Sequence, residues 1–271
     1  MSESARSTGR SLDLQRRLVA YKTYAAWQEV PHVAYQYEPD ATDFWVEFQA
    51  LRNEFRGRGL SLSVNTILLK AAALALAEAP ILNASFAYEP ERQDGTIHFH
   101  DEINLGVPWL LPDGGMITLT VFDSGNQSLA EISSQVEKIR KKVERTDFQR
   151  LFRATALMKP GDSWEDDGGL SPMDITGSTA TVSNIGSICR SPGQFSLLEI
   201  LPPQVFALGI SAMQEKPGVF VNEAGEKALG IRKYLPMCLA FDHRVLDFSD
   251  LVPFLSRLDR LFQNPKEIHS W

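Results

Sequence analysis

Residues 239–248 read LAFDHRVLDF. The apolar residues up to Phe241, led in by Tyr-Leu-Pro-Met-Cys, have the composition of a buried strand. Past Asp247 the stretch LVPFLSRLDRLF returns apolar residues at helical spacing and is ended by Pro265. His243 therefore sits where a strand hands over to a helix, with Asp242 before it and Asp247 four residues on. Such junctions often line active sites, because a rigid scaffold presents the side chain from a turn. The plainer readings are a polar residue that ends a strand, for His243, and a helix N-cap, for Asp247.

Working outward, STATVSNIG (178–186) and QVFALGIS (204–211) read as further strands. Near the start, Ser11 is placed to cap a helix over 12–27, a stretch free of Gly and Pro with apolar residues at Leu14, Leu18, Tyr21 and Ala25. PHVAYQYE reads as a strand. Ser63 opens VNTILLKAAALALAEA, apolar nearly all round and stopped by Pro80, so this helix is expected to be buried on most sides against a sheet. TIHFHDEINLGVPWLL and GMITLTVFD read as strands joined through Pro112-Asp113-Gly114-Gly115, a turn in a hairpin. Ser128 and Glu131 have capping-box spacing ahead of a stripe of Leu129, Ile132, Val136, Ile139 and Val143, the mark of a helix on the surface of the core. Residues 153–177, with KPGDSWEDDGG, read as an exposed acidic loop whose carboxylates have nothing to fix a metal geometry. The order predicts one α/β domain, a two-layer sandwich of a mixed sheet packed with helices, over 14–271 behind a disordered tail of 1–13.

Composition narrows the function. A net charge of -7 disfavours nucleic acid and anionic membrane surfaces, which need clustered Lys and Arg. No apolar run reaches the roughly 18 residues of a membrane helix. Cys189 and Cys238 lack metal-ligand spacing and form no disulfide framework, which fits a reducing compartment: the cytoplasm, with the mitochondrial matrix as the alternative because the opening MSESARSTGR is Ser- and Arg-rich. His98 and His100 alternate along one strand but have no third ligand at a convincing spacing, so no metal is expected.

LAFDHRVLDF resembles the motif of the dihydrolipoamide acyltransferase (E2) catalytic domains of 2-oxoacid dehydrogenase complexes, which read DHR, two residues, Asp or Asn, then Gly. RRLVAYKT, VPHVAYQYE, LSVNTILLKAAALALAEAPILNASF, INLGVPWLLPDGGMITLTVFD, SLAEI, TATVSNIG and LPPQVFALGIS follow the same family's order, so the resemblance spans about residues 14–265. It implies a chloramphenicol acetyltransferase-like fold and homotrimers with active sites between subunits. By the same resemblance His243 is the general base that takes a proton from coenzyme A or a dihydrolipoyl thiol, Ser183 of TVSNIG donates to the oxyanion from the neighbouring chain, and Asp247 supports the histidine's loop, with Arg16, Arg17 or Lys22 as its candidate partners. An imidazole of ordinary pKa about 6.5 can accept a proton from a thiol of about 8.5 near neutral pH. Arg244 is read as supporting the motif rather than touching substrate.

Phe248 stands where the family has glycine. It is expected either to narrow the substrate channel, which Asn184 also lines, or to fold into the core. Family members carry lipoyl and subunit-binding domains ahead of this one, so the acyl group is expected on free coenzyme A or on a separate carrier, with lipoyl domains or dehydrogenase subunits acting in trans. Two other readings stay open: a non-catalytic E2-like assembly subunit, and an acyltransferase acting on a small-molecule hydroxyl or amine. The chain ends KEIHSW, whose Ile268 and Trp271 are diluted by His269 and Ser270, so an isolated trimer is expected rather than a larger core.

Overall fold

A computed structural model describes residues 11–111, 114–157, 162–222 and 224–271. Helix α1 (Leu14–Glu29) starts at Asp13, whose carboxylate accepts from the Arg16 amide at 2.8 Å, so Asp13 and not Ser11 is the cap. The expected tail falls largely on residues outside those described. Strand β1 (His32–Tyr37) follows as expected. Helix α2 (Thr42–Gly57) was not anticipated, although Phe44, Phe48, Leu51 and Phe55 form its buried stripe at helical spacing. Its start is built by Asp40, which accepts from the Thr42 amide (2.9 Å) and hydroxyl (2.6 Å).

Helix α3 (Val64–Glu78) is capped by Ser63 and buried on most sides. Its one buried cation, Lys70, is held by the carbonyls of Gly125 and Gln127, each at 2.7 Å. The segment 96–111 is not one strand. Strands β2 (Ala84–Glu89) and β3 (Asp94–Phe99) form a separate hairpin, and β4 (Leu105–Leu110) begins after a bend and pairs with β5 (Met116–Val121). Pro112 and Asp113 of the expected turn lie outside the described residues; the Leu111 amide bonds the Gly115 carbonyl at 2.8 Å.

Helix α4 (Leu129–Arg145) carries the expected Ser128–Glu131 capping box. The acidic loop is shorter than expected. Helix α5 (Phe148–Leu157) runs into it and α6 (Pro172–Thr176), capped by Ser171, closes it, with Asp174 buried, accepting from the Ser171 amide at 2.7 Å and paired to Lys142 at 3.2 Å; residues 158–161 lie outside those described. Strands β6 (Ala180–Asn184) and β7 (Phe206–Ile210) are followed by an unanticipated hairpin of β8 (Gln214–Val221) and β9 (Lys227–Tyr234), then β10 (Met237–Asp242) and α7 (Phe248–Gln263), which begins three residues earlier than expected.

The main sheet has the order β1-β10-β7-β6-β4-β5. Its β4–β6 and β6–β7 pairs are parallel and the others antiparallel, which makes it mixed. Residues in register share a face, so Val182, Leu208 and Leu239 look to one side, where Phe206 meets Phe254 of α7 at 5.0 Å and α3 packs on α7. The opposite face carries small residues, Thr181, Ser183, Ala207, Gly209, Cys238 and Ala240, and is covered partly by Ile200, Leu197 and Leu198.

Candidate active site

β10 delivers the Asp-His-Arg turn. Asp242 is fully buried, where an unpaired carboxylate would carry a heavy desolvation cost. It is matched by Arg244, whose Nε bonds Oδ1 (3.0 Å) and Oδ2 (3.1 Å), whose Nη2 bonds Oδ2 (2.6 Å), and whose own amide bonds Oδ1 (3.0 Å). The guanidinium then lies over Phe86 (5.3 Å) and Tyr88 (5.7 Å) of β2, a cation–π seat that ties the turn to the second hairpin. Arg244 thus supports the motif. Phe86 and Tyr88 are partners that the sequence did not disclose; aromatics on a short strand far upstream carry no mark of what they will face.

The imidazole of His243 is fixed at one nitrogen. Nδ1 lies 2.8 Å from the Leu246 carbonyl, and since a carbonyl can only accept, Nδ1 holds the proton and Nε2 keeps its lone pair. With the side chain 47% exposed, that lone pair is reachable from outside. Asp247 Oδ1 lies 3.6 Å from the same Nδ1, farther than the carbonyl. Asp247 occupies the N-cap position of α7 and its amide bonds Asp250 at 2.8 Å. Among the described residues its ion-pair partner is His243, not Arg16, Arg17 or Lys22.

Phe248 is the first residue of α7, 46% exposed, with its ring edge-on to Tyr35 at 5.0 Å. The core alternative is therefore overturned. Its backbone is not among the positive-φ positions, so nothing there requires the family's glycine.

Ser183 lies elsewhere. It is in register with Gly209, and Gly209 with Cys238, so Ser183 is level with the start of β10 while His243 follows its end. Five residues along the strand at about 3.3 Å and two strands across at about 4.8 Å put the two roughly 19 Å apart. No rotamer closes that gap. Asn184 beside it donates to Asn65 Oδ1 on the first turn of α3 at 3.2 Å. Ser183 faces the same side as Thr181, two residues before it, and Thr181 lines a cavity of about 570 Å³ with Ser178, Gln204, Lys22, Leu18 and Phe152. A space of that size suits a small-molecule ligand.

These features define an acyltransferase-type scaffold with a histidine turn and a remote serine. The chain belongs to the family of 2-oxoacid dehydrogenase acyltransferases (catalytic domain), whose model matches residues 6–150 and 164–270. It is 31% identical over 218 residues to the dihydrolipoyllysine-residue acetyltransferase component of the pyruvate dehydrogenase complex of Acholeplasma laidlawii, covering 79% of this chain and 34% of that protein. To the corresponding Corynebacterium glutamicum component it is 28% identical over 259 residues, covering 94% of this chain and 34% of that protein. The chain thus spans about a third of the length of these curated relatives. Among solved structures, a probable dihydrolipoamide acetyltransferase from Listeria monocytogenes shares the fold with a TM-score of 0.75 at 23% identity, covering 96% of each chain. The dihydrolipoamide acetyltransferase of Azotobacter vinelandii does so with a TM-score of 0.74 at 23% identity, covering 97% of this chain and 94% of that one.

Proposed function

We propose that this chain transfers an acyl group between coenzyme A and a thiol acceptor such as a dihydrolipoyl group, within a homotrimer whose active sites join two chains. The observation that carries this reading is the His243 tautomer: Nδ1 is committed to the Leu246 carbonyl and Nε2 is left basic and accessible. In the forward step the acceptor S–H gives its proton to Nε2 and the thiolate sulfur forms a bond to the thioester carbonyl carbon. The carbonyl electrons move to oxygen, and Ser183 of the neighbouring chain donates a hydrogen bond to that oxyanion. Collapse breaks the old C–S bond, and the proton passes from Nε2 to the departing thiolate.

Two facts support the assignment. Family membership brings the chemistry, and the Azotobacter vinelandii enzyme was investigated for the roles of a serine, a histidine and an asparagine in catalysis, the last two four positions apart as His243 and Asp247 are here. The roughly 19 Å between Ser183 and His243 supports a site shared by two chains. Phe248 and Asn184 are read as lining the channel that leads to it.

The test is acyl transfer from a panel of acyl-CoA donors, with and without dihydrolipoamide, followed by thiol release. His243→Ala is expected to lower turnover by about 10² to 10⁴ and Ser183→Ala by about 10². Mixing and reassembling the two variants should restore part of the activity, because some sites then combine an intact His243 with an intact Ser183. Full turnover in the folded His243→Ala protein would overturn the assignment.

A further inference from the structure

The alternating histidines His98 and His100 stand at the end of β3, across the β2–β3 hairpin from a serine. Ser85 is in register with His98, so both histidines leave the ribbon on the serine's side. The farther one makes the contact: His100 Nε2 lies 2.6 Å from the Ser85 hydroxyl. A hydroxyl and an imidazole within hydrogen-bond reach are the parts of a nucleophile and its base. The base is held in place by its own main chain. The His100 carbonyl accepts from Asn83 Nδ2 at 3.1 Å and the His100 amide bonds the Asn83 carbonyl at 3.4 Å. Asn83 is buried, donates also to the Glu102 carbonyl at 3.0 Å and accepts from the Thr179 hydroxyl at 2.5 Å. These bonds fix the end of the hairpin without the serine, so the hydroxyl–imidazole bond is not needed as a clamp.

The pair looks away from the Asp-His-Arg turn. Phe86 and Tyr88 seat Arg244 on one face of β2, and Ser85 leaves from the other. On that other face Ser85 is bridged directly to Gln204. Residues opposite each other in an antiparallel pair leave on the same side, with Cβ atoms about 4.5–5.5 Å apart. The Gln204 side chain bonds the Thr181 hydroxyl at 2.7 Å and the Ser178 hydroxyl at 2.9 Å, in the wall of the cavity of about 570 Å³. The Ser85 hydroxyl is thereby set beside the wall of a space that suits a small-molecule ligand. Ser85 and His100 are both half-buried, neither sealed in the core nor spread on the surface.

We propose that Ser85 is a second acyl-accepting site, with His100 as its base, and that the chain acylates itself there from an acyl thioester without the help of His243. With its proton on Nδ1, His100 takes the hydroxyl proton on Nε2 while Ser85 Oγ bonds the thioester carbonyl carbon. Collapse breaks the C–S bond, and the same proton leaves with the thiolate. The products are an acyl-serine ester and a free thiol. The test is intact-mass measurement and peptide mapping of the full chain after incubation with acetyl-CoA, beside labelling with an alkyl fluorophosphonate. One acetyl group on the peptide that carries Ser85 is expected, formed as fast in His243→Ala as in the native chain. Ser85→Ala should lose both the adduct and the label. His100→Gln, which still offers a hydrogen bond but takes no proton, should form the adduct about 10² more slowly, and His98→Gln should form it at the native rate. A native chain with no acetyl on the Ser85 peptide overturns the inference, and this map stands even should Ser85→Ala fail to fold. An adduct that needs His243, or that forms at the native rate in His100→Gln, overturns it as well. Transfer to dihydrolipoamide is read separately, so its loss in His243→Ala beside an intact Ser85 adduct keeps the two assignments apart.

Discussion

A histidine that donates from Nδ1 to a carbonyl three residues ahead needs no carboxylate to choose its tautomer, and this frees Asp247 for the start of α7. Phe248, next in the chain, is the residue at which this sequence departs most from its family's motif. Replacing it with glycine removes an edge contact to Tyr35 worth about 0.5–1.5 kcal/mol and loosens the first turn of α7 by roughly 0.5–1 kcal/mol. The expected result is a modest fall in melting temperature together with a wider range of accepted acyl donors. Melting beside a donor panel checks both, and a destabilised protein with an unchanged panel would remove Phe248 from the channel. His243, Asp247 and Ser183 could be picked from the sequence because Asp-His-Arg and Ser-Asn-Ile-Gly are compact local signatures. The Leu246 carbonyl, Phe86 and Tyr88 could not, since a backbone acceptor has no sequence mark and an aromatic contact across distant segments has no spacing.

Between elements, one buried polar joint is Asp242 with Arg244, whose guanidinium is seated on β2. Arg244→Met strands a carboxylate that is 1% exposed and should cost about 3–5 kcal/mol at neutral pH. Urea titrations of the variant beside the parent protein would show it, and an unchanged midpoint would contradict the account. A second joint binds α2 to β9. Burial works against the charge of Asp40, but bonds from Thr42 and Arg232 outweigh it and hold the carboxyl below its ordinary range. A lowered folded pKa gives stability that is present above the unfolded value of about 3.9 and is lost as pH falls through the folded one. Asp40→Asn should therefore flatten the acid arm of the stability curve below about pH 4, and an unaltered arm would show that the joint contributes nothing. Elements with strong ends were legible: α3 and α4 announce themselves through Ser63 and the Ser128–Glu131 box. The β8–β9 hairpin was not, because Pro217, Gly218 and Gly230 interrupt both strands with residues that weaken strand propensity. Strands β3 and β4 were run together because the bend between them lies in a continuous strand-like pattern.

At the scale of the whole molecule, the C-terminus is already spoken for. Ile268 is fully buried in the chain's own core, Trp271 meets Arg257 at 6.0 Å, and His269 reaches Glu47 on α2 at 3.1 Å. Apolar side chains spent inside one chain are not free to join trimers, so assembly is expected to stop near 91 kDa, three chains of 30.3 kDa. Sedimentation at micromolar concentration checks this, and a species many times heavier would refute it. The distance between Ser183 and His243 carries a consequence for how such a protein is expected to behave when it becomes scarce. An enzyme whose working parts sit in one chain gives a rate proportional to its concentration at every dilution. With the two-chain site proposed above, the rate is expected to follow the population of assembled chains, so that a plot of velocity against total protein curves upward from the origin and straightens only once association is complete; a straight line through the origin at every dilution would refute it.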